Sequence, residues 1–404
     1  MSTRTGLQHR GRKAMLSTLG PQGLAVFLPR VMKVMTAHVA EWEAAGRMPS
    51  LFRAARRLGL DLSVDVVMGV ELSPRVDRAW FKKQVETWLD GMFGLPLRFP
   101  GSTLSRAVAA KEALLAALMS EEEVVRDHQM SRDKWEAAQG NVSAVLEGMS
   151  RESPSGIIPL KHVQRMGLFG DGGSDLRDSA MSIMHGVFAA ADTTRWALFN
   201  TLALVAMSPR VQEKVFQEQQ QVISEHGSEM SLPALGAMSY LEAALKEAMR
   251  LLPATSGGLR QLTEPLKVGD TVLPAGSMIW LYSHLMHCLD PALWDGRTDY
   301  DVPPHMDWRH NFELAFRPER WLGGEGEAAP KYYFTFGTSS HLCAGKNLAY
   351  LEVKVMLAML LRKHTLRLQT PDMLKRCRFF PFTIPPGGTD TLVLVPRQEP
   401  ALAG

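Results

Sequence analysis

The stretch that decides the reading is Phe336-Gly337-Thr338-Ser339-Ser340-His341-Leu342-Cys343-Ala344-Gly345. It is a small, polar, glycine-marked loop that carries one cysteine and runs into an apolar segment, Leu348 to Leu361, which reads as a helix. A cysteine just ahead of a helix sits in the positive end of the helix dipole, which favours thiolate over thiol. A glycine two residues on, Gly345, lets backbone approach a bulky partner closely. The competing reading is a structural cysteine buried at a loop–helix junction. Only two other cysteines exist, Cys288 and Cys377, and no C-x-x-C pair, so neither a disulfide framework nor a zinc site is indicated.

Outward from the loop, the chain is mostly helical in period. Apolar residues recur with helical spacing over Gly23–Ala45, Ser105–Met119, Asp175–Met207, Arg210–Glu225 and Tyr240–Leu252. From about Gly257 the texture changes to short β-prone runs. Val268 to Gly276 reads as a hairpin, Met278 to Tyr282 as a strand and Phe379 to Pro396 as a β-prone tail. Helices followed by a small strand-rich portion predict a mostly α, α+β fold in a single domain over 1–404. A length of 404 residues with 46% apolar content is enough for a large core, and a net charge of +3 argues against a nucleic-acid partner. No run of about 18 consecutive apolar residues occurs, so no membrane-spanning helix is expected from the sequence.

Two helical constellations add chemistry. Glu247-Ala248-Met249-Arg250 places an acid and a base on one helix face. Ala189-Ala190-Ala191-Asp192-Thr193-Thr194 places polar residues in a helix whose flanks, Ile183, Val187, Phe188, Trp196, Leu198 and Phe199, are apolar on most sides.

Together these segments resemble the cytochrome P450 family. The cysteine loop resembles F-G-x-G-x-[R/H]-x-C-x-G, with Ser339 where the family has glycine, a position that calls for an unusual backbone angle. Glu247 and Arg250 resemble its E-x-x-R, and Pro318-Glu319-Arg320-Trp321 its P-E-R-F. Ala189 to Thr194 resembles its [A/G]-G-x-[D/E]-T-T, with Ala190 for glycine. The resemblance covers roughly residues 6–396.

The resemblance implies haem b as cofactor, with Cys343 as its axial iron ligand. Phe336 would shield the sulfur, Gly345 would admit the macrocycle, and His341, Arg260, His9 and Lys13 would reach the propionates. Asp192 and Thr193 would relay protons, and Glu247, Arg250 and Arg320 would form a buried charged network. The reaction implied is monooxygenation of a small apolar substrate, with electrons from an NADPH-dependent reductase or a ferredoxin docking on a basic face of Lys346, Arg12 and Lys13.

Leu95-Pro96-Leu97-Arg98-Phe99-Pro100-Gly101-Ser102 is similar to a segment of the clan of retinoic-acid, abscisic-acid, brassinosteroid and triterpenoid hydroxylases, which implies an isoprenoid or sterol-like substrate. His287 to Trp294 resembles H-R-D-P-x-x-W with Cys288 in place of arginine, and an insertion of unassigned role separates Trp294 from Pro318.

By that alignment the N-terminal part of the fold is missing, with any membrane anchor and two strands of the main sheet. The expectation is an unpaired sheet edge, and a membrane surface such as the endoplasmic reticulum as location. Other readings stand beside this one: a hydroperoxide isomerase or dehydratase of the same fold, a truncated haem-binding protein without activity, and a helical protein that binds no haem.

Overall fold

A computed structural model describes residues 19–92, 94–138, 175–299, 301–323, 328–379 and 383–397, with a few isolated positions between 144 and 151. His9, Arg12 and Lys13 lie outside them. The chain divides into two compact units.

The first unit takes in residues 1–37, 56–195 and 344–351. Its helices include most of α1 (Pro21–Ala45) and α2 (Leu51–Leu62), then α3 (Arg78–Met92), α4 (Thr103–Ser120), α5 (Glu122–Ala137) and the first two thirds of α6 (Leu176–Ala206). The apolar faces of α2 to α6 meet in one cluster that includes Phe81, Val85, Leu114, Leu118, Ile183, Met184 and Val187. Helices α3 and α4 touch so closely at Gly91 that a Cβ there would lie 2.0 Å from the Ala107 Cβ. Ser102 starts α4 by accepting the Ser105 N–H, the cap that a serine before an apolar helix provides.

The second unit takes in residues 38–55, 196–343 and 352–404. After the end of α6 come α7 (Pro209–His226), α8 (Leu232–Ala237) and α9 (Ser239–Leu251). A three-stranded antiparallel sheet is ordered β1 (Arg47–Met48), β7 (Leu392–Pro396), β6 (His364–Leu368), with Leu368 opposite Leu392 and Met48 opposite the same residue. β2 (Gly257–Gln261) pairs with β5 (Met278–Tyr282), and β3 (Leu266–Val268) with β4 (Thr271–Leu273). Gly257 has φ +134°, and a Cβ there would fall 2.0 Å from the Leu281 carbonyl oxygen, so only glycine fits. Helix α10 (Ser283–Cys288), the single turn α11 (Phe312–Ala315) and the long α12 (Lys346–Lys363) complete the α-helices among the described residues.

The helices expected from the sequence all form, and the hairpin and both strand regions appear. Leu51–Leu62, Arg78–Met92 and Glu122–Ala137 were not expected as helices; their charge-rich sequences dilute the apolar period. Among the described residues β2 has β5 as its one partner, and Leu259, Met278, Trp280 and Tyr282 on this ribbon are exposed. Gly23–Ala45 is long and apolar enough, by length and composition, to cross a membrane, a test that a buried core helix also passes. Scattered charges interrupt its run of apolar residues. Phe27, Val31, Met35, Val39 and Trp42 on this helix are buried at helical spacing.

Candidate functional site

The cysteine loop follows a tightly held root. Phe334 N–H donates to His287 Nε2 (3.0 Å), Thr335 Oγ1 donates to the Met249 carbonyl (3.0 Å), and Tyr332 N–H donates to Asp290 Oδ2. His287 is fully buried, and burial above all pushes its pKa down to about 4, so the ring is neutral. Its Nδ1 donates to the Arg250 carbonyl (2.8 Å), which leaves Nε2 free to accept from Phe334.

The loop then turns. Gly337 has φ +71°, and Ser339 has φ +50°, the one non-glycine residue with positive φ among the described residues. Ser339 occupies the position where the resemblance calls for glycine, and a side chain in this region costs about 1 kcal/mol or more. The Cys343 N–H closes the loop on the Phe336 carbonyl at 2.7 Å. Cys343 itself is exposed, three residues before α12 begins.

The three cysteines thus differ in kind. Burial lifts the Cys288 thiol to about 11 and the Cys377 thiol to about 12, so both stay protonated. Cys343 alone is an exposed residue, just ahead of a helix N-terminus, on a loop that turns through positive φ at Gly337 and Ser339. This donor set fits a haem iron ligated by thiolate. Phe336 and Gly345 flank the cysteine, both half-buried, and His341 is exposed in the turn Ser339–His341. Arg260 on β2 is half-buried and turns its Nη1 back onto the Leu259 carbonyl at 2.7 Å.

Glu247, Arg250 and Arg320 meet in one buried charged network. Glu247 and Arg250 are both fully buried and joined twice, Nε to Oε2 at 2.9 Å and Nη2 to Oε1 at 2.8 Å. Arg320 Nη1 donates to Glu247 Oε1 at 2.6 Å, Trp321 Nε1 to Oε2 at 2.9 Å, and the Arg317 N–H to Oε1 at 3.2 Å. Burial alone would raise the Glu247 carboxyl, but the Arg250 and Arg320 guanidiniums outweigh it and hold the pKa below the ordinary value. Further donors of the two arginines go to the carbonyls of Leu314, Ala315 and His305 and to the Met306 sulfur. Two guanidiniums and one carboxylate are thus held dry with their hydrogen bonds satisfied.

In the first unit, α6 places Asp192 and Thr193 on different sides. Asp192 is 8% exposed and pairs with Arg195 one turn on, Oδ1 to Nη2 at 3.1 Å. Burial dominates and raises its pKa, against the pull of Arg195 and Arg56. Thr193 is exposed, and its Oγ1 donates to the Ala189 carbonyl at 2.6 Å. His185, Ala189 and Thr193 form an exposed stripe at four-residue spacing. Sequence reasoning missed His185 on this stripe and Arg195 as the partner of Asp192, although the same helical spacings pointed to both. α2 crosses here at Gly59, where a Cβ would lie 2.6 Å from the Ala191 carbonyl oxygen.

The second unit also holds a cavity of about 170 Å³, with Trp196, Asn200, Leu252, Met306, Trp308 and Phe379 among its walls. None of the expected site residues lines it.

The sequence profile of the cytochrome P450 family matches residues 8–302 and 313–393, leaving 303–312 outside. A putative cytochrome P450 120 of Synechocystis is 24% identical over 99% of this chain and 77% of its own length. The mitochondrial 1,25-dihydroxyvitamin D(3) 24-hydroxylase of Mus musculus is 30% identical over 44% of this chain and 31% of its own. The solved structure of retinoic acid bound cyanobacterial CYP120A1 superposes with a TM-score of 0.71 at 21% identity, covering 96% of this chain and 78% of that one.

Proposed function

The chain belongs to the cytochrome P450 family, and we propose that it hydroxylates an apolar isoprenoid or sterol-like molecule, its two units being parts of one domain. As a P450 monooxygenase it uses haem b, and the family draws its electrons from a reductase or a ferredoxin. The observation that carries the reading is the exposed Cys343 at the head of α12, in a loop anchored at its root by His287 and Met249.

Cys343 Sγ would hold the iron, with Phe336 and Gly345 beside it and His341 and Arg260 as donors for the propionates. Bound haem supplies dioxygen activation, which a thiolate ligand promotes by donating electron density. The protein's own part is ligation, orientation and proton supply. Asp192, its pKa raised by burial, takes up a proton more readily than a surface carboxylate does. Thr193 would be the second proton-supplying group, its Oγ1 lying on the exposed side of α6, away from Asp192, and donating to the Ala189 carbonyl. Overall, substrate, dioxygen, two electrons and two protons give alcohol and water.

The substrate class rests on the Leu95–Ser102 segment and on relatives whose names carry retinoic acid and a vitamin D hydroxylase. The test is incubation of the haem-loaded chain with retinoids and hydroxylated sterols, NADPH and a redox partner, followed by mass spectrometry with ¹⁸O₂. One labelled oxygen in the product supports the proposal. Turnover of a lipid hydroperoxide without NADPH, and no labelled product, would overturn it in favour of an isomerase.

A further inference from the structure

Residues 303–312 lie outside the family match, yet part of the segment is built into the protein interior. His305, Met306 and Trp308 are 5%, 1% and 4% exposed. The His305 carbonyl accepts from Arg250 Nη2 at 2.8 Å, and Met306 Sδ accepts from Arg250 Nη1 at 2.8 Å. The inserted segment therefore supplies two acceptors to a fully buried guanidinium. His305 reaches a second target, its Nε2 donating to the His287 carbonyl at 3.1 Å. Trp308 and Arg309 fasten the segment to the chain's C-terminal part: the Trp308 ring centroid lies 5.4 Å from that of Phe379, and the Arg309 guanidinium 4.7 Å from the same ring.

His287 also holds the root of the cysteine loop, and Arg250 in turn holds His287. His287 links the Arg250 carbonyl to the Phe334 N–H, and Met249, one residue before Arg250, receives the Thr335 hydroxyl. Hydrogen bonds thus link the insertion to Arg250 and His287, and His287 to Phe334, while Thr335 is held by Met249, the chain neighbour of Arg250.

We propose that the inserted segment is a positioning element for the cysteine loop, with His305 and Met306 as its positioning residues. The inference deepens the reading of Cys343 as haem ligand and rests on it for its functional meaning. Its chemistry is specific. A thioether is a weak acceptor, so Met306 satisfies Arg250 Nη1 without competing with Glu247 for the guanidinium. His305 fixes the peptide of His287 and so the direction of the imidazole that holds Phe334.

The test is amide hydrogen exchange on the whole chain, read in peptides covering 334–343, for His305→Ala and Met306→Leu. Leu114→Ala, a core change in the first unit, serves as the control for general destabilisation. Losing one buried partner should speed exchange at the loop root about tenfold in both variants, while the control leaves those peptides at the wild-type rate. In the haem-loaded, reduced, carbon-monoxide-bound protein, the fraction showing a thiolate-type band should fall in the same two variants. Unchanged exchange in 334–343, or an equal effect from Leu114→Ala, would overturn the proposal. Faster exchange in the variants with no thiolate-type band in the wild type would uphold the positioning role and sink the ligand assignment instead.

Discussion

Two acid–arginine pairs in this protein have the same helical spacing and opposite character. Glu247 and Arg250 lie on α9, Asp192 and Arg195 on α6, each pair three residues apart. Glu247 receives donors from Arg250, Arg320, Trp321 and the Arg317 backbone, and its pKa is held down. Asp192 has the one guanidinium at 3.1 Å, and burial wins, so its pKa is raised. Equal spacing therefore says little about role; the number of donors that meet the carboxylate decides. The saturated pair is a fixed charge that holds coil segments together. The under-supplied pair can change protonation, which a proton relay requires.

The sharpest way to break this contrast is to remove each acid. Glu247→Ala leaves two buried guanidiniums without their counter-charge and should cost about 3–5 kcal/mol in denaturant unfolding. A loss no larger than that of an ordinary surface substitution would refute the saturated-network account. Asp192→Asn should leave the fold intact but lower product formation about a hundredfold, with electron consumption much less affected. Normal coupling of electrons to product in this variant would remove Asp192 from the relay.

The two acids should also respond to pH with opposite signs. Glu247 has a lowered folded pKa, so its contribution is present above its ordinary value of 4.5 and is lost as pH falls through the folded value. Asp192 has a raised folded pKa, so its contribution is present below its ordinary value of 3.8 and is lost as pH rises through the folded value. Stability differences between wild type and Glu247→Gln should therefore grow with pH below 4.5. Those between wild type and Asp192→Asn should shrink with pH above 3.8. Equal slopes would erase the distinction. The smallest effect belongs to the cysteine loop, where Ser339→Gly relieves the positive φ and should stabilise by about 1 kcal/mol, read as a rise in Tm.

Much of this was legible in the sequence. The Glu247–Arg250–Arg320 network could be read because its parts sit in ordered, recognisable segments, and the structure joins all three. Ser339 could be read as a departure because the loop's pattern demands a backbone angle that glycine takes easily. Arg195 was readable in principle, by the same spacing that exposed Arg250, but an arginine inside an apolar helix drew no attention without a partner in view. The insertion was visible only as extra length. Its contacts run from His305 and Met306 to Arg250, 55 and 56 residues away in the chain, and no local pattern encodes such a distance. Helices α2, α3 and α5 hid behind dense surface charge, since their stability comes from tertiary burial of a narrow apolar face.

The account stands or falls on Cys343. The most direct measurement is the carbon-monoxide difference spectrum of the haem-loaded, reduced chain beside Cys343→Ser. The account predicts a red-shifted, thiolate-type Soret band in the wild type that disappears in the variant. A band that is the same in both proteins, or no thiolate-type band in either, would contradict it.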